Sequence, residues 1–172
     1  MKASAGLFYD VDMVKIVQLP CEDLHKKCRK VRRLDGSVRR LINTLRETLK
    51  EQSALGVAAP QIGVPLRVIV ADLALDGSGR EILGLVNPEI VSGEGEAEDI
   101  EGCLSVPGKS YRVARYEKVT VRAIDEAGRE VTLQADGLLA RVLQHEIDHL
   151  EGKLIADHGA LVPKSKSTAS DD

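Results

Sequence analysis

Aromatic residues are almost missing from this chain. Phe, Tyr and Trp together make up 2% of its 172 residues, and there is no Trp. Aliphatic side chains must therefore fill the core. Cysteine is scarce too: there are three, an odd number, at a spacing that matches no disulfide framework. Cys21 and Cys28 have six residues between them, wider than the roughly two to four of paired zinc-finger cysteines. Both read as reduced structural thiols, which points to a reducing cytoplasm. No apolar run approaches the ~20 residues of a membrane span, and Met1–Gly6 is not followed by an apolar stretch, so neither a membrane span nor a secretory leader is expected. The net charge of −3 gives no overall nucleic-acid footprint and no expectation of DNA binding. With 43% hydrophobic and 30% charged residues, the composition is that of an ordinary globular chain, long enough for one domain with its own core.

What the chain does have is His145-Glu146-Ile147-Asp148-His149. The residues before it, Gly137 to Gln144, contain no proline and several strong helix formers. Asp136 suits an N-cap and Gly152 a stop, so the spacing predicts a helix of about four turns. There His145 and His149 lie one turn apart on one face and can share a metal ion. Glu146, about 100° round the helix, can reach a water at that ion without occupying a coordination position. Leu138, Val142 and Leu143 make the helix apolar enough to be buried, and buried helices rarely carry two histidines and a glutamate idly. The longer protease pattern His-Glu-x-x-His-x-x-Gly-x-x-His is matched through Gly152 but has Ile155 in place of the last histidine. A third ligand must come from elsewhere: Cys103, Cys21, Cys28, His25, His158 or Asp157.

Along the chain, residues 1–13 read as a loose start and Lys15–Pro20 as a short extended segment. Cys21–Cys28 reads as a charged helical turn with His25 in solvent. Asp35 is expected to cap a helix over 36–51, where Val38, Leu41, Ile42, Leu45 and Leu49 form one apolar stripe. The many Lys and Arg side chains between Lys26 and Arg40 read as a solvated face, open at most to weak contact with an anionic partner. Residues 54–63 form a small apolar loop; read by itself it is a tight helix-to-strand connection with Gln61 at the surface. Strands are expected at 66–72, at 82–91 with an interruption at Pro88, from Val113 to Ile124 and from Glu130 to Ala135, the last two joined by a hairpin at Asp125–Gly128. Asp76–Gly79 reads as a turn and residues 92–99, acidic and glycine-containing, as a loop. Cys103 sits in a constrained segment between Gly102 and Pro107, and is the best candidate for the missing soft ligand. Residues 164–172 read as a disordered tail.

Three stretches, Gly56-Val57-Ala58-Ala59-Pro60-Gln61, Glu101-Gly102-Cys103-Leu104-Ser105 and Gln144-His145-Glu146-Ile147-Asp148-His149, occur in an order and spacing that resemble the peptide deformylases. The resemblance runs from about Lys15 to Asp157. It implies an α+β fold, with a central metal-binding helix surrounded by antiparallel β-sheets and the N-terminal helix packed alongside, in a single domain over 1–172 with its folded core at about 15–160. It implies removal of the formyl group from the formyl-methionine of nascent polypeptides, in the cytoplasm and with a transient ribosome contact. It also implies Cys103, His145 and His149 as metal ligands, Glu146 as acid/base, and Gln61 with the backbone N–H of Leu104 as oxyanion donors. Glu101 and Arg115 resemble an ion pair bracing the ligand loop. Gly56 resembles the residue pairing with substrate backbone, and Leu55, Leu138 and Val142 the methionine pocket. The ion is expected to be divalent, Fe(II) as the working metal, with Zn(II), Ni(II) or Co(II) accommodated. Two departures stand out. Ala54 replaces a usual glycine, which strains the chain if that position needs a positive φ. Ser110 replaces a peptide-steadying arginine, with Tyr111 and Arg112 beside it. The alternatives are a zinc endoprotease and a non-enzymatic fold with a closed metal site.

Overall fold

The computed structural model describes residues 14–74 and 81–163. The loose start over 1–13, the turn at Asp76–Gly79 and the tail over 164–172 lie outside the described residues. Helix α1 spans Gly36–Glu51, and its apolar stripe is buried along its length. Asp35 caps it: the backbone is extended, and the carboxylate accepts from the amides of Ser37 at 2.8 Å and Val38 at 3.2 Å.

Strands β1 (Gly56–Ala58), β2 (Val68–Asp72), β3 (Ile82–Glu94), β4 (Ala97–Gly102), β5 (Ser110–Arg115), β6 (Lys118–Ile124), β7 (Glu130–Asp136) and β8 (Ala160–Leu161) build two antiparallel sheets. One has the order β1-β2-β3-β6-β7, the other β4-β5-β8. Helix α2, Gly137–Leu150, packs on the larger sheet, and α1 packs on its opposite face. Strand β2 shows why. Val68 and Val70 belong to the cluster around α1, and Ile69 and Ala71 to the cluster around α2. A strand covered on both faces reads as an unbroken apolar run, as Val68–Ala71 does.

Two expectations about strands are corrected. Residues 92–99 are not a loop: β3 continues to Glu94, β4 begins at Ala97, and the turn between them uses Gly95 at φ +68°. Ser92, Gly93 and Glu94 pair with Thr120, Val119 and Lys118. Backbone ladders need no apolar side chains, so this polar stretch carried no hydrophobic signal. The stretch from Val113 to Ile124 is not one strand either. It breaks at Tyr116–Glu117, and β5 and β6 enter different sheets. The break is held by Gln144, whose side chain accepts from Tyr116 N at 3.0 Å and donates to Tyr116 O at 2.9 Å. The interruption at Pro88 is a local register shift within β3, where Asn87, at φ +51°, uses its amide to bond both backbone groups of Val31.

At the start of α2, Asp136 occupies the N-cap position but its side chain makes no capping bond. The helix stops where expected: Gly152 has φ +71°, and a Cβ there would run into the backbone of His25. The segment 15–20 is extended and laced to the site loops, with Val17 N donating to Gln61 O at 2.8 Å and Leu19 N to Ser105 O at 2.9 Å. Among the described residues no helix is long and apolar enough to cross a membrane. Asp35→Ala should lower the urea unfolding midpoint; Asp136→Ala, which removes no capping bond, should leave the midpoint close to the parent's.

Candidate metal centre

Cys103 follows the last residue of β4 in a turn closed by Val106 N donating to Cys103 O at 3.0 Å. His145 and His149 stand one turn apart on α2, their rings edge-to-face with centroids 5.0 Å apart. The ligand atoms of Cys103, His145 and His149 all lie within 4.8 Å of one another, and Cys103 Sγ is 3.3 Å from His149 Nε2. Among the described residues this is the one group of three such side chains close enough to hold an ion. The other candidate ligands lie elsewhere. Cys28 is in the core, where burial pushes its thiol up to about 11; His25 faces Asp157 at 3.5 Å, and His158 faces Asp148 at 3.9 Å.

The residues present fit a divalent ion. One thiolate and two imidazoles are a common donor set for a catalytic transition metal. Glu146, 4% exposed, also has an Oε2 with no hydrogen-bond partner. A buried carboxylate oxygen left unpaired is expensive unless something at the site engages it.

Glu101 orients the first histidine. Its Oε2 accepts from His145 Nδ1 at 2.8 Å, which leaves Nε2 free to face an ion. The same carboxylate takes two bonds from Arg115, at 2.5 and 2.9 Å, and one from Arg141 at 2.7 Å. Arg115 reaches on to Asp148 at 2.8 Å. Burial alone would raise the Glu101 carboxyl, but the bonds from His145 and Arg115 and the Arg115 charge reverse this, holding it well below the usual carboxylate range. Glu146 shows the opposite balance: burial pushes its carboxyl up to about 7, against the opposing pull of His145 and Arg115. Burial, followed by the charges of His145 and Arg115, keeps His149 neutral, well below the ordinary histidine range. Its Nδ1 has no hydrogen-bond partner, so no carboxylate orients that ring as Glu101 orients His145.

Gln61 is buried, 2% exposed, and not at the surface. Its Oε1 accepts from Ala58 N at 2.9 Å, which turns Nε2 toward Ser105 Oγ at 3.4 Å and Cys103 Sγ at 3.6 Å. A cavity of about 520 Å³ runs past Cys103, His145 and Glu146, and is also lined by Leu55, Gly56, Gln61, Leu104, Leu138 and Val142. Arg115 and His149 stand behind it. Gly56 is needed for close approach: a Cβ there would lie 2.7 Å from Glu146 Oε1. The strain expected at Ala54 does not arise, because the left-handed residue of this loop is its neighbour Ser53, at φ +50°. Ser110 opens β5 and lines the cavity.

Sequence reasoning missed Arg141, Asp148, Gln144 and Ser105. Arg141 did leave a signal, a charged residue inside the apolar run Leu139-Ala140-Arg141-Val142-Leu143 of a helix that must be buried.

Residues 13–166 match the sequence model of the family described as Polypeptide deformylase. The chain is 48% identical to the peptide deformylase of Symbiobacterium thermophilum over 145 residues, 84% of this chain and 66% of that protein. It is 43% identical to that of Thermodesulfovibrio yellowstonii over 84% of this chain and 88% of that one. Among solved structures it resembles a peptide deformylase from Legionella pneumophila, at 49% identity and a TM-score of 0.79 over 84% of both chains. It also resembles one from Synechococcus elongatus solved with actinonin, at 39% identity and a TM-score of 0.80 over 85% of this chain and 80% of that one.

Elemental analysis after dialysis should find one divalent ion per chain. Cys103→Ala and His145→Ala should lose it, and Cys21→Ala and Cys28→Ala should keep it; retention by Cys103→Ala would show that the sulfur is not a ligand.

Proposed function

The chain belongs to the peptide deformylase family, metal-dependent hydrolases that remove the N-formyl group from nascent polypeptides, and from that premise we propose how its residues divide the work. The observation that carries the reading is Glu146, a buried carboxylate with a free oxygen, lining one cavity with Cys103 and His145. Cys103, His145 and His149 would hold a divalent ion, which would supply the Lewis acidity that lowers the pKa of a water toward neutrality. Glu146, raised to about 7, matches a group that takes a proton from the attacking water and returns it to the leaving amine. Attack on the formyl carbon puts negative charge on the formyl oxygen. Gln61 Nε2 and the Leu104 amide donate to it, and the bond from Ala58 N to Gln61 Oε1 keeps the Gln61 donor pointing inward. The C–N bond then breaks, releasing formate and the methionine amine.

The apolar side chains of Leu55, Leu138 and Val142 receive the methionine side chain, and the backbone at Gly56 pairs with the peptide. Leu55 and Leu138 are partly exposed at 39% and 50%, as befits a surface that a substrate covers. Fe(II) is the working ion in this reading; Zn(II), Ni(II) and Co(II) suit the same donors. The setting is the cytoplasm, where nascent chains are made. The exposed side chains of Arg29, Lys30, Arg32 and Arg33 support a transient contact with the ribosome. The zinc endoprotease reading is not favoured: the relatives are deformylases, and Ile155, where that pattern needs a histidine, is buried in a third apolar cluster.

Formate release from formyl-Met-Ala-Ser tests this. Glu146→Ala should lower kcat by about 10²- to 10⁴-fold, and Gln61→Leu by about 10²- to 10³-fold. Gly56→Ala, which displaces the Glu146 carboxylate without touching a ligand, should cost about 10²-fold. No release by the metal-loaded parent protein would overturn the reading.

A further inference from the structure

The two halves of the metal centre come from different parts of the fold. Cys103 hangs from β4 in the three-stranded sheet, whereas His145 and His149 project from α2, whose apolar face is committed to the five-stranded sheet. Leu104 packs on the α1 cluster and Cys103 beside Ile155, but the apolar cluster around α2 has no residue of β4 to set one half directly against the other. Polar side chains do so, and Arg141 makes the widest span among them. It sits on α2 one turn before His145, on the same face. Its guanidinium is buried and its two terminal nitrogens make three bonds: Nη1 to Glu101 Oε1 at 2.7 Å and Val113 O at 3.0 Å, and Nη2 to Ala97 O at 2.8 Å. Ala97 and Glu101 lie near the two ends of β4, and Val113 is on β5. One helix side chain thus grips the ligand-bearing strand at both ends and its neighbour in between.

We propose that Arg141 is a positioning residue of the metal centre, fastening the strand that delivers Cys103 to the helix that delivers both histidines. The proposal rests on the reading of Cys103, His145 and His149 as the metal ligands. Glu101 and Asp148 bring two carboxylates to this cluster, and Arg115 and Arg141 two guanidinium groups, so losing Arg141 removes one of its two permanent positive charges. Lysine cannot replace it, since a single ammonium cannot reach Glu101 and Ala97 in the way a planar fork does.

The test uses Co(II)-loaded protein, whose thiolate charge-transfer and ligand-field absorption reports the geometry at the ion. Arg141→Lys and Arg141→Met are compared with the parent and with Arg122→Met, a control whose partner Glu89 sits 3.4 Å away in solvent. Both Arg141 variants are expected to show an altered spectrum, loss of cobalt to a chelator about 10- to 100-fold faster, and a lower kcat with KM within about threefold of the parent; Arg122→Met should match the parent. Thermal midpoints of the metal-free proteins separate this from a general loss of stability. A lower midpoint with parental spectrum and cobalt release would overturn the proposal. So would failure of both variants to fold with excess cobalt, because a positioning role leaves the hydrophobic cores intact. Failure of the parent to bind one cobalt would instead overturn the assignment of the ligands.

Discussion

One buried carboxylate holds the site together. Glu101 accepts hydrogen bonds from Arg115, Arg141 and His145, and so ties a strand, its neighbour and a helix to one point. A carboxylate buried this deeply costs several kcal/mol in desolvation, which only close ion pairing and hydrogen bonding offset. With any one partner removed, the rest are left with an imperfectly compensated buried charge. The arrangement therefore specifies geometry more than it adds stability: it fixes which nitrogen of His145 is left free and where the turn carrying Cys103 begins.

The larger sheet makes that geometry rigid. Strand β2 is buried on both faces, with α1 on one side and α2 on the other, so the helix carrying His145 and His149 lies on a surface that is itself backed by packed side chains. Gln144, one residue before the first histidine, pins the point where the chain passes from the smaller sheet to the larger. Gly152 lets the chain turn away directly after the second. Gly56 allows β1 to lie against the Glu146 carboxylate. The positions of Glu146 and Gln61 are thus set by backbone approach and by a single amide bond from Ala58, and both point into a cavity rimmed with aliphatic side chains.

Much of this was legible in the sequence, for definite reasons. Helix α1 announced itself through an apolar stripe and a capping aspartate, and α2 through its helix formers and the spacing of its histidines. The grouping of Cys103, His145 and His149 with Glu146 and Gln61 was foreshadowed by three short stretches in a fixed order, although Gln61 taken alone read as a surface residue, because a lone glutamine carries no sign of burial. Backbone pairing without side-chain patterning stayed hidden. Ser92–Glu94 join the sheet as polar residues, and the division of the Val113–Ile124 stretch between two sheets at Tyr116 depends on a glutamine 28 residues away. Arg141 was passed over because a basic residue on a helix ordinarily faces solvent, and its acceptors are brought together only by the fold.

The central claim is that a thiolate from the strand turn and two imidazoles from the helix bind one ion and leave room for a water. X-ray absorption at the metal edge of the Zn(II)-loaded protein measures this directly. One sulfur scatterer at about 2.3 Å, with two imidazole nitrogens and one further light atom at about 2.0–2.1 Å, is the expected result. A shell with no sulfur, or with two, would contradict it.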